Sequence, residues 1–203
     1  MDRHQWDERY ATGELIWRAE PNLFLVQEVT ALDPGRALDL ACGEGRNAIW
    51  LAERGWKVTG VDFSPVGLGK ARRLAAERGV EVRWIEEDVV DWAPPRESFD
   101  LAVVMYLQLP SADRRRALEG AARALAPGGT ILVVGHDSTN LTDGYGGPKD
   151  PTVLYGPEDL VGDLAGLEVV RAERVRRTVN TDGGEAEAID ALVRARKPLR
   201  PAS

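Results

Sequence analysis

The sequence predicts an α/β protein with an open, doubly wound, mostly parallel sheet and helices on both faces. Three observations carry this. Five short apolar runs each lead into a helix or a helix start, the βα repeat that builds parallel sheets. The first run ends in a turn with two glycines, Gly43 and Gly45, which is how such sheets make a ligand crevice. Two late alternating runs, joined through Asp182-Gly183-Gly184, read as a hairpin that adds one antiparallel strand at an edge.

In chain order, residues 1–35 read as a polar, aromatic opening segment with Trp6, Tyr10 and Trp17, followed by a helix from Pro21-Asn22 to about Thr30. Asp33-Pro34-Gly35 ends it as a turn. Ala37–Ala41 is the first strand, Arg46–Arg54 a helix closed by Gly55, and Lys57–Val61 the second strand. Ser64-Pro65 pairs a hydroxyl cap with a proline at the first helical position, and that helix runs to about Arg78. Val80–Ile85 alternates as strand three. Phe99–Tyr106 is almost continuously apolar, as expected of a strand covered on both faces. Ser111 is expected to cap the next helix, whose Ala117, Leu118, Ala121, Ala122 and Leu125 share a face, and Pro127-Gly128-Gly129 to stop it. Thr130–Gly135 is strand five. A Gly-, Pro- and Asp-rich stretch over 137–156 reads as a functional loop. A short helix over Pro157–Leu164 and strands over Leu167–Arg176 and Ala188–Arg196 complete the chain, read as one domain over 1–203 with its core at 36–197.

Bulk composition narrows the partners. Hydrophobic residues make up 43% and charged residues 29% of 203, ordinary for a globular protein, and net charge is −7. An acidic chain disfavours nucleic acid and anionic membranes, which want a basic face. One cysteine, Cys42, excludes an internal disulfide framework and a thiolate zinc cluster, and it is expected to pack as a small apolar residue. Two histidines, His4 and His136, make no metal site by themselves, so no metal is expected. The opening MDRHQWDERY lacks the pattern of a signal peptide, and the longest apolar run, Leu101 to Leu107, is too short to span a bilayer. A cytoplasmic protein, monomer or homodimer, is the expectation.

The glycine turn fits G-x-G-x-x-A, a pattern that alone admits any dinucleotide. The charges separate the readings. Asp39 on the strand and Glu44 in the turn would repel a pyrophosphate and suit a cationic ligand. S-adenosylmethionine carries a sulfonium and an α-ammonium, and its carboxylate can use the amides of the turn. Asp62 at the end of strand two can accept ribose hydroxyls, with Phe63 against the adenine. Asp88 can take the adenine amino group while Val89 packs on the ring, and Met105 and Tyr106 end strand four. All these strand ends line one crevice in an open parallel sheet.

The runs DLACGEGRNA, VTGVDFSP, EEDVVDW, FDLAVVMY and LAPGGTILVV resemble the successive motifs of class I S-adenosylmethionine-dependent methyltransferases. The opening WDERYATGELIWRAEPN resembles the tellurite-resistance and thiopurine (thiol) methyltransferase-like branch. The resemblance implies a seven-stranded sheet of order 3-2-1-4-5-7-6, the last strand antiparallel. It implies that Asp39, Gly43 and Gly45 serve the methionine end of the cofactor, Asp62 the ribose, Asp88 and Val89 the adenine, and Trp6 and Tyr10 a lid. Arg46 and Asn47 match a GRN run common in that branch.

The expected reaction is methyl transfer to a small-molecule nucleophile (a thiol, phenol, amine or chalcogen oxyanion), leaving S-adenosylhomocysteine. Sulfonium is a good leaving group, so alignment is the main task. His136, Tyr106 and Asp137 are the catalytic candidates, because they border the acceptor side and an acceptor proton needs a base. A binding protein without turnover and a NAD-dependent oxidoreductase are the alternatives.

Overall fold

The computed structural model describes residues 2–16, 19–181 and 183–200; Trp17 and Asp182 lie outside them. Seven strands form one sheet of order β3-β2-β1-β4-β5-β7-β6. They are β1 (Arg36–Leu40), β2 (Lys57–Asp62), β3 (Val82–Glu86), β4 (Phe99–Met105), β5 (Leu125–His136), β6 (Glu168–Thr181) and β7 (Gly184–Arg196). β1 to β5 are parallel, and β7 runs antiparallel to both β5 and β6. The antiparallel strand is therefore interior, and β6 takes the edge that the late hairpin was expected to give it. Insertion of β7 sends alternate apolar residues to both faces. Ala191, Val193 and Ala195 join one core and Leu192 the other.

The same alternation divides every central strand. Leu38, Leu40, Ala102, Val104, Ile131 and Val133 pack on the face of α5 (Ser111–Ala124) and α7 (Pro157–Asp163). Ala37, Leu101, Val103, Met105, Leu132 and Val134 pack on the face of α2 (Leu23–Val29) and α3 (Arg46–Glu53). Burial on both faces explains the nearly unbroken apolar run of β4. Cys42 is buried, as its packing reading expects, and burial pushes its thiol well up.

Three local features differ from expectation. Residues Arg3–Tyr10 form a helix, α1, opened by a capping box in which Asp2 and Gln5 exchange hydrogen bonds with each other's backbone amides. That D-x-x-Q spacing was legible, but no apolar stripe accompanies it. Ser111 is the first helical residue of α5 and does not cap it; Pro110 stands at the N-cap. Pro127-Gly128-Gly129 does not stop α5 either. The helix ends at Ala124, and the triplet lies within the irregular entry of β5, with Gly128 at φ +80. Among the described residues no helix is long and apolar enough to cross a membrane.

The stretch after β5 is ordered around two buried polar side chains. Asn140, at the start of α6 (Asn140–Asp143), accepts the Ile189 amide at 2.7 Å and donates to the Gly146 carbonyl at 3.0 Å. Asp137 accepts from the Thr139 amide and hydroxyl. A 3-10 turn follows at Pro151–Val153.

Candidate active site

β1 and β4 are neighbours at the point where strand order reverses, and each ends in a non-glycine residue forced into the left-handed region. Ala41 and Tyr106 both have φ 59. Such strain costs of order 1–3 kcal/mol and concentrates at functional sites. They stand at the switch point, outside the carboxyl ends of the strands, where open α/β sheets bind their ligands.

The glycine turn is built by its neighbours. Gly43 (φ +53) and Gly45 (φ +82) hold left-handed conformations that glycine tolerates. A side chain at Gly45 would meet Trp84 and Ala71, and one at Gly43 would meet the Tyr10 hydroxyl. Asp62 pins the turn, because its two carboxylate oxygens accept the amides of Gly43 (2.8 Å) and Ser64 (2.9 Å). Burial raises its pKa, against the pull of those two amides.

Asp39 lies in the sheet between Gly60 and Val103 and is only 1% exposed. Burial pushes its carboxyl up to about 7, with the Ala48 amide pulling the other way and Asp62 adding to the rise. Among the described residues its Oδ2 has no hydrogen-bond partner. A buried unpaired carboxylate oxygen is costly unless something cationic or donating meets it.

Glu44 is held within the protein. It is 3% exposed, its Oε1 lies 3.0 Å from Lys70 Nζ, and it accepts the Ile16 amide. The part it was given in repelling a pyrophosphate is therefore largely neutralised, and that discrimination passes to Asp39. Lys70 also donates to the Glu14 carbonyl at 2.6 Å, so the pair ties the opening segment to α4 (Pro65–Glu77). Asp7 accepts from the Ser64 hydroxyl at the N-terminus of α4. Tyr10 is buried on Gly43 and Gly67, with Trp6 stacked on it at 5.4 Å. Of the two residues expected to form a lid, Tyr10 packs directly on the glycine turn and Trp6 on Tyr10.

Other expected cofactor residues divide. Arg46 opens α3 within the electrostatic reach of Asp39, Glu44, Tyr106 and Arg177. Asn47 is buried and its Oδ1 accepts the Asn22 amide, which locks α2 to α3. Phe63 is half-buried beside Asp62. Asp88 is exposed and caps the Val90 amide, whereas Val89 is buried within the core. Met105 is also buried, against the α2–α3 side.

The catalytic candidates His136 and Tyr106 are joined by a residue that sequence reasoning missed. Asp190, on β7, is directly across from His136 on β5 and is fully buried. Its Oδ2 accepts the Tyr106 hydroxyl (2.7 Å) and Arg177 Nε (2.7 Å), while its Oδ1 lies 3.3 Å from His136 Nδ1. That last approach is close but not aligned as a hydrogen bond, and among the described residues both atoms are otherwise unpartnered. Burial pushes the Asp190 carboxyl up, but His136, Arg177 and Tyr106 outweigh it and hold it below the usual range. Burial and then Asp190 push the Tyr106 phenol well up, so it keeps its proton. Asp137 is fully buried; its Oδ1 accepts from Thr139 and from Arg174 Nε at 3.0 Å, while its Oδ2 has no hydrogen-bond partner among the described residues. Gln108 accepts the His136 amide and donates to the Val153 carbonyl. Acids and amides paired across strands far apart in sequence leave no local pattern, so only an acid inside the apolar run Ala188–Val193 marked Asp190.

The sheet order and this crevice define a Rossmann-like methyltransferase architecture. Residues 37–129 match the family described as "Methyltransferase domain". It is 43% identical over 103 residues to a demethylmenaquinone methyltransferase of Thermus thermophilus, covering 50% of this chain and 47% of that protein. The matched part spans about half the length of the curated relatives it resembles. Among solved structures, one from work on the conversion of a disulfide bond into a thioacetal group in echinomycin biosynthesis superposes with TM-score 0.79 at 22% identity, covering 98% of this chain and 94% of that one. The N-methyltransferase NodS of Bradyrhizobium japonicum, solved with S-adenosyl-L-homocysteine, superposes with TM-score 0.72 at 21% identity over 97% and 98%. TehB of Haemophilus influenzae does so with TM-score 0.72 at 19% identity over 96% and 66%. At these identities the likeness is one of fold.

Proposed function

We propose that the protein is an S-adenosylmethionine-dependent methyltransferase acting on a small-molecule nucleophile. The observation that carries this is the buried, unpartnered Oδ2 of Asp39 beside the glycine turn. An ammonium is the group that such an oxygen lacks, and it is what the methionine end of S-adenosylmethionine offers. Bound there, the cofactor supplies a methyl group already activated for transfer.

The chain's own residues then hold and shape the site. Asp39, Gly43 and Gly45 receive the methionine end. Asp62 keeps one free lone pair on each oxygen for the ribose after binding its two amides. Phe63, Asp88, Val89 and Met105 border the adenine side, and Arg46 and Asn47 support the start of α3. Trp6 and Tyr10 close over the turn and exclude water. His136 takes a proton from an acceptor that carries one, and Tyr106 shapes the pocket floor as a neutral phenol.

A small acceptor fits the net charge of −7 better than a nucleic acid does. The opening segment and the fold shared with TehB support the tellurite and thiol branch, whereas the sequence relative is named for a quinone substrate. The deciding experiment has two arms. Calorimetry with S-adenosylhomocysteine and with NAD(H) reads the cofactor; binding of NAD(H) alone would overturn the reading. Labelled S-adenosylmethionine offered with thiols, phenols, quinols, amines and tellurite or selenite reads the acceptor. Cofactor binding with no acceptor methylated would favour a binding protein without turnover.

A further inference from the structure

We propose that Asp190 is the positioning residue of the acceptor side: it holds His136 with its proton on Nδ1 and Tyr106 by its hydroxyl, so that His136 Nε2 is the bare nitrogen offered to the acceptor. This rests on the methyltransferase reading above and adds a residue to it.

The hairpin puts Asp190 there. β6 and β7 pair along their whole length, but β7 pairs with β5 only as far as Asp190↔His136. Beyond that point the hairpin continues past the end of β5, beside the crevice. Asp190 thus stands at the end of the β5–β7 register. Arg177 approaches it diagonally from β6, since Val175 is its direct partner. A fully buried carboxylate needs such compensation, and two donors within 2.7 Å supply it on Oδ2. Oδ1 and His136 Nδ1 are both buried, 3.3 Å apart and, among the described residues, without another partner. A proton on Nδ1 faces the carboxylate favourably even without the alignment of a full hydrogen bond; a bare Nδ1 would set a lone pair against it. The Gly147 backbone packs against the Cγ, Nδ1 and Cδ2 side of the ring, and Tyr106 lies 4.9 Å from it, so the ring is held from two sides. Nε2 remains the nitrogen able to meet an acceptor.

In the reaction this places each proton. The acceptor's O–H or S–H proton passes to Nε2, and the heteroatom's freed electron pair forms the bond to the methyl carbon as the methyl–sulfur bond breaks toward sulfur. The imidazolium so formed carries its second proton on Nδ1, against the Asp190 carboxylate. The same logic of an acid orienting a histidine serves hydrolytic triads.

The chain has two histidines, and His4 is exposed on α1, so nitrogen-15 spectra of the whole protein resolve His136 without an acceptor. At a pH where the ring is neutral, the wild-type protein is expected to show the Nδ1–H tautomer and Asp190→Asn to lose it. A wild-type ring protonated on Nε2 overturns the proposal without recourse to any variant. In Asp190→Asn and Asp190→Glu, kcat with a phenolic acceptor is expected to fall about 10²- to 10⁴-fold while S-adenosylhomocysteine affinity stays within about twofold. Unchanged kcat would also overturn it. Failure of the wild-type protein to bind S-adenosylhomocysteine would instead count against the methyltransferase reading and leave the tautomer result standing.

Discussion

Lys70 Nζ lies 3.0 Å from Glu44 Oε1, with both side chains nearly sealed from solvent at 7% and 3% exposure. The glutamate belongs to the glycine turn, the lysine to α4, and each also binds the backbone of the opening segment. One ion pair therefore couples the opening segment to the glycine turn. Removing one partner of a buried pair costs about 3–5 kcal/mol, because the other charge is left uncompensated. Lys70→Met is expected to lower stability by that amount in urea titration. The double variant Lys70→Met/Glu44→Gln should recover part of the loss. Equal stability of single and double variants would mean the two charges do not meet.

Asp39 gives a pH dependence whose sign can be worked out. Its carboxyl titrates at about 7 in the fold, against about 3.9 in an unfolded chain. The folded protein therefore holds a proton that the unfolded chain has lost, and stability falls as pH rises from about 4 to 7. At and above neutral pH the ionised group costs the fold on the order of 4 kcal/mol. Asp39→Asn should flatten that slope and be the more stable protein at pH 8. Cofactor affinity runs the other way, because an ammonium wants the ionised form. Calorimetry should find wild-type affinity for S-adenosylhomocysteine rising between pH 6 and 8. Asp39→Asn should bind about 10- to 100-fold more weakly with little pH dependence.

Asp62→Ala removes two charge-assisted acceptors, those of the Gly43 and Ser64 amides, from a buried site. At about 1.5–3 kcal/mol for each such bond, a stability loss of roughly 3–6 kcal/mol is expected, with cofactor binding reduced below detection. Asp62→Asn keeps one acceptor oxygen and should lose less stability. Cofactor affinity near wild type in a folded Asp62→Ala protein would mean the ribose contact is wrongly placed.

His136→Ala should divide the acceptors by acidity. A phenol or amine needs its proton removed, so kcat should fall about 10²- to 10⁴-fold. A thiol already ionised at the assay pH should lose far less. S-adenosylhomocysteine affinity should be unchanged in both cases. An equal loss for thiolate and phenol would assign His136 to packing alone.

Legibility followed range in the chain. The βα steps could be read because turn chemistry and apolar periodicity are local. Gly43 and Gly45, Ser64-Pro65 and the β4 run each announce a conformation within a few residues. The α1 helix escaped notice because its stability comes from contacts made elsewhere, Asp7 on Ser64 and Tyr10 on Gly43, and not from an apolar face of its own. Ser111 looked like a cap because serine favours that position, but the proline before it already supplied the extended backbone that a cap needs.

For this protein the sequence by itself determined the parallel core, the glycine turn and the acids Asp39 and Asp62 at the strand ends, since each is written in adjacent residues. Only the tertiary structure decided what those charges meet. It turned Glu44 onto Lys70, engaged Asp137 with Arg174, left Asp39 Oδ2 open, and brought Asp190 against His136 and Tyr106. The reason is physical. A carboxylate's role depends on its burial and on which donor reaches it, and those donors arrive across the sheet, from residues up to 84 positions away in the chain.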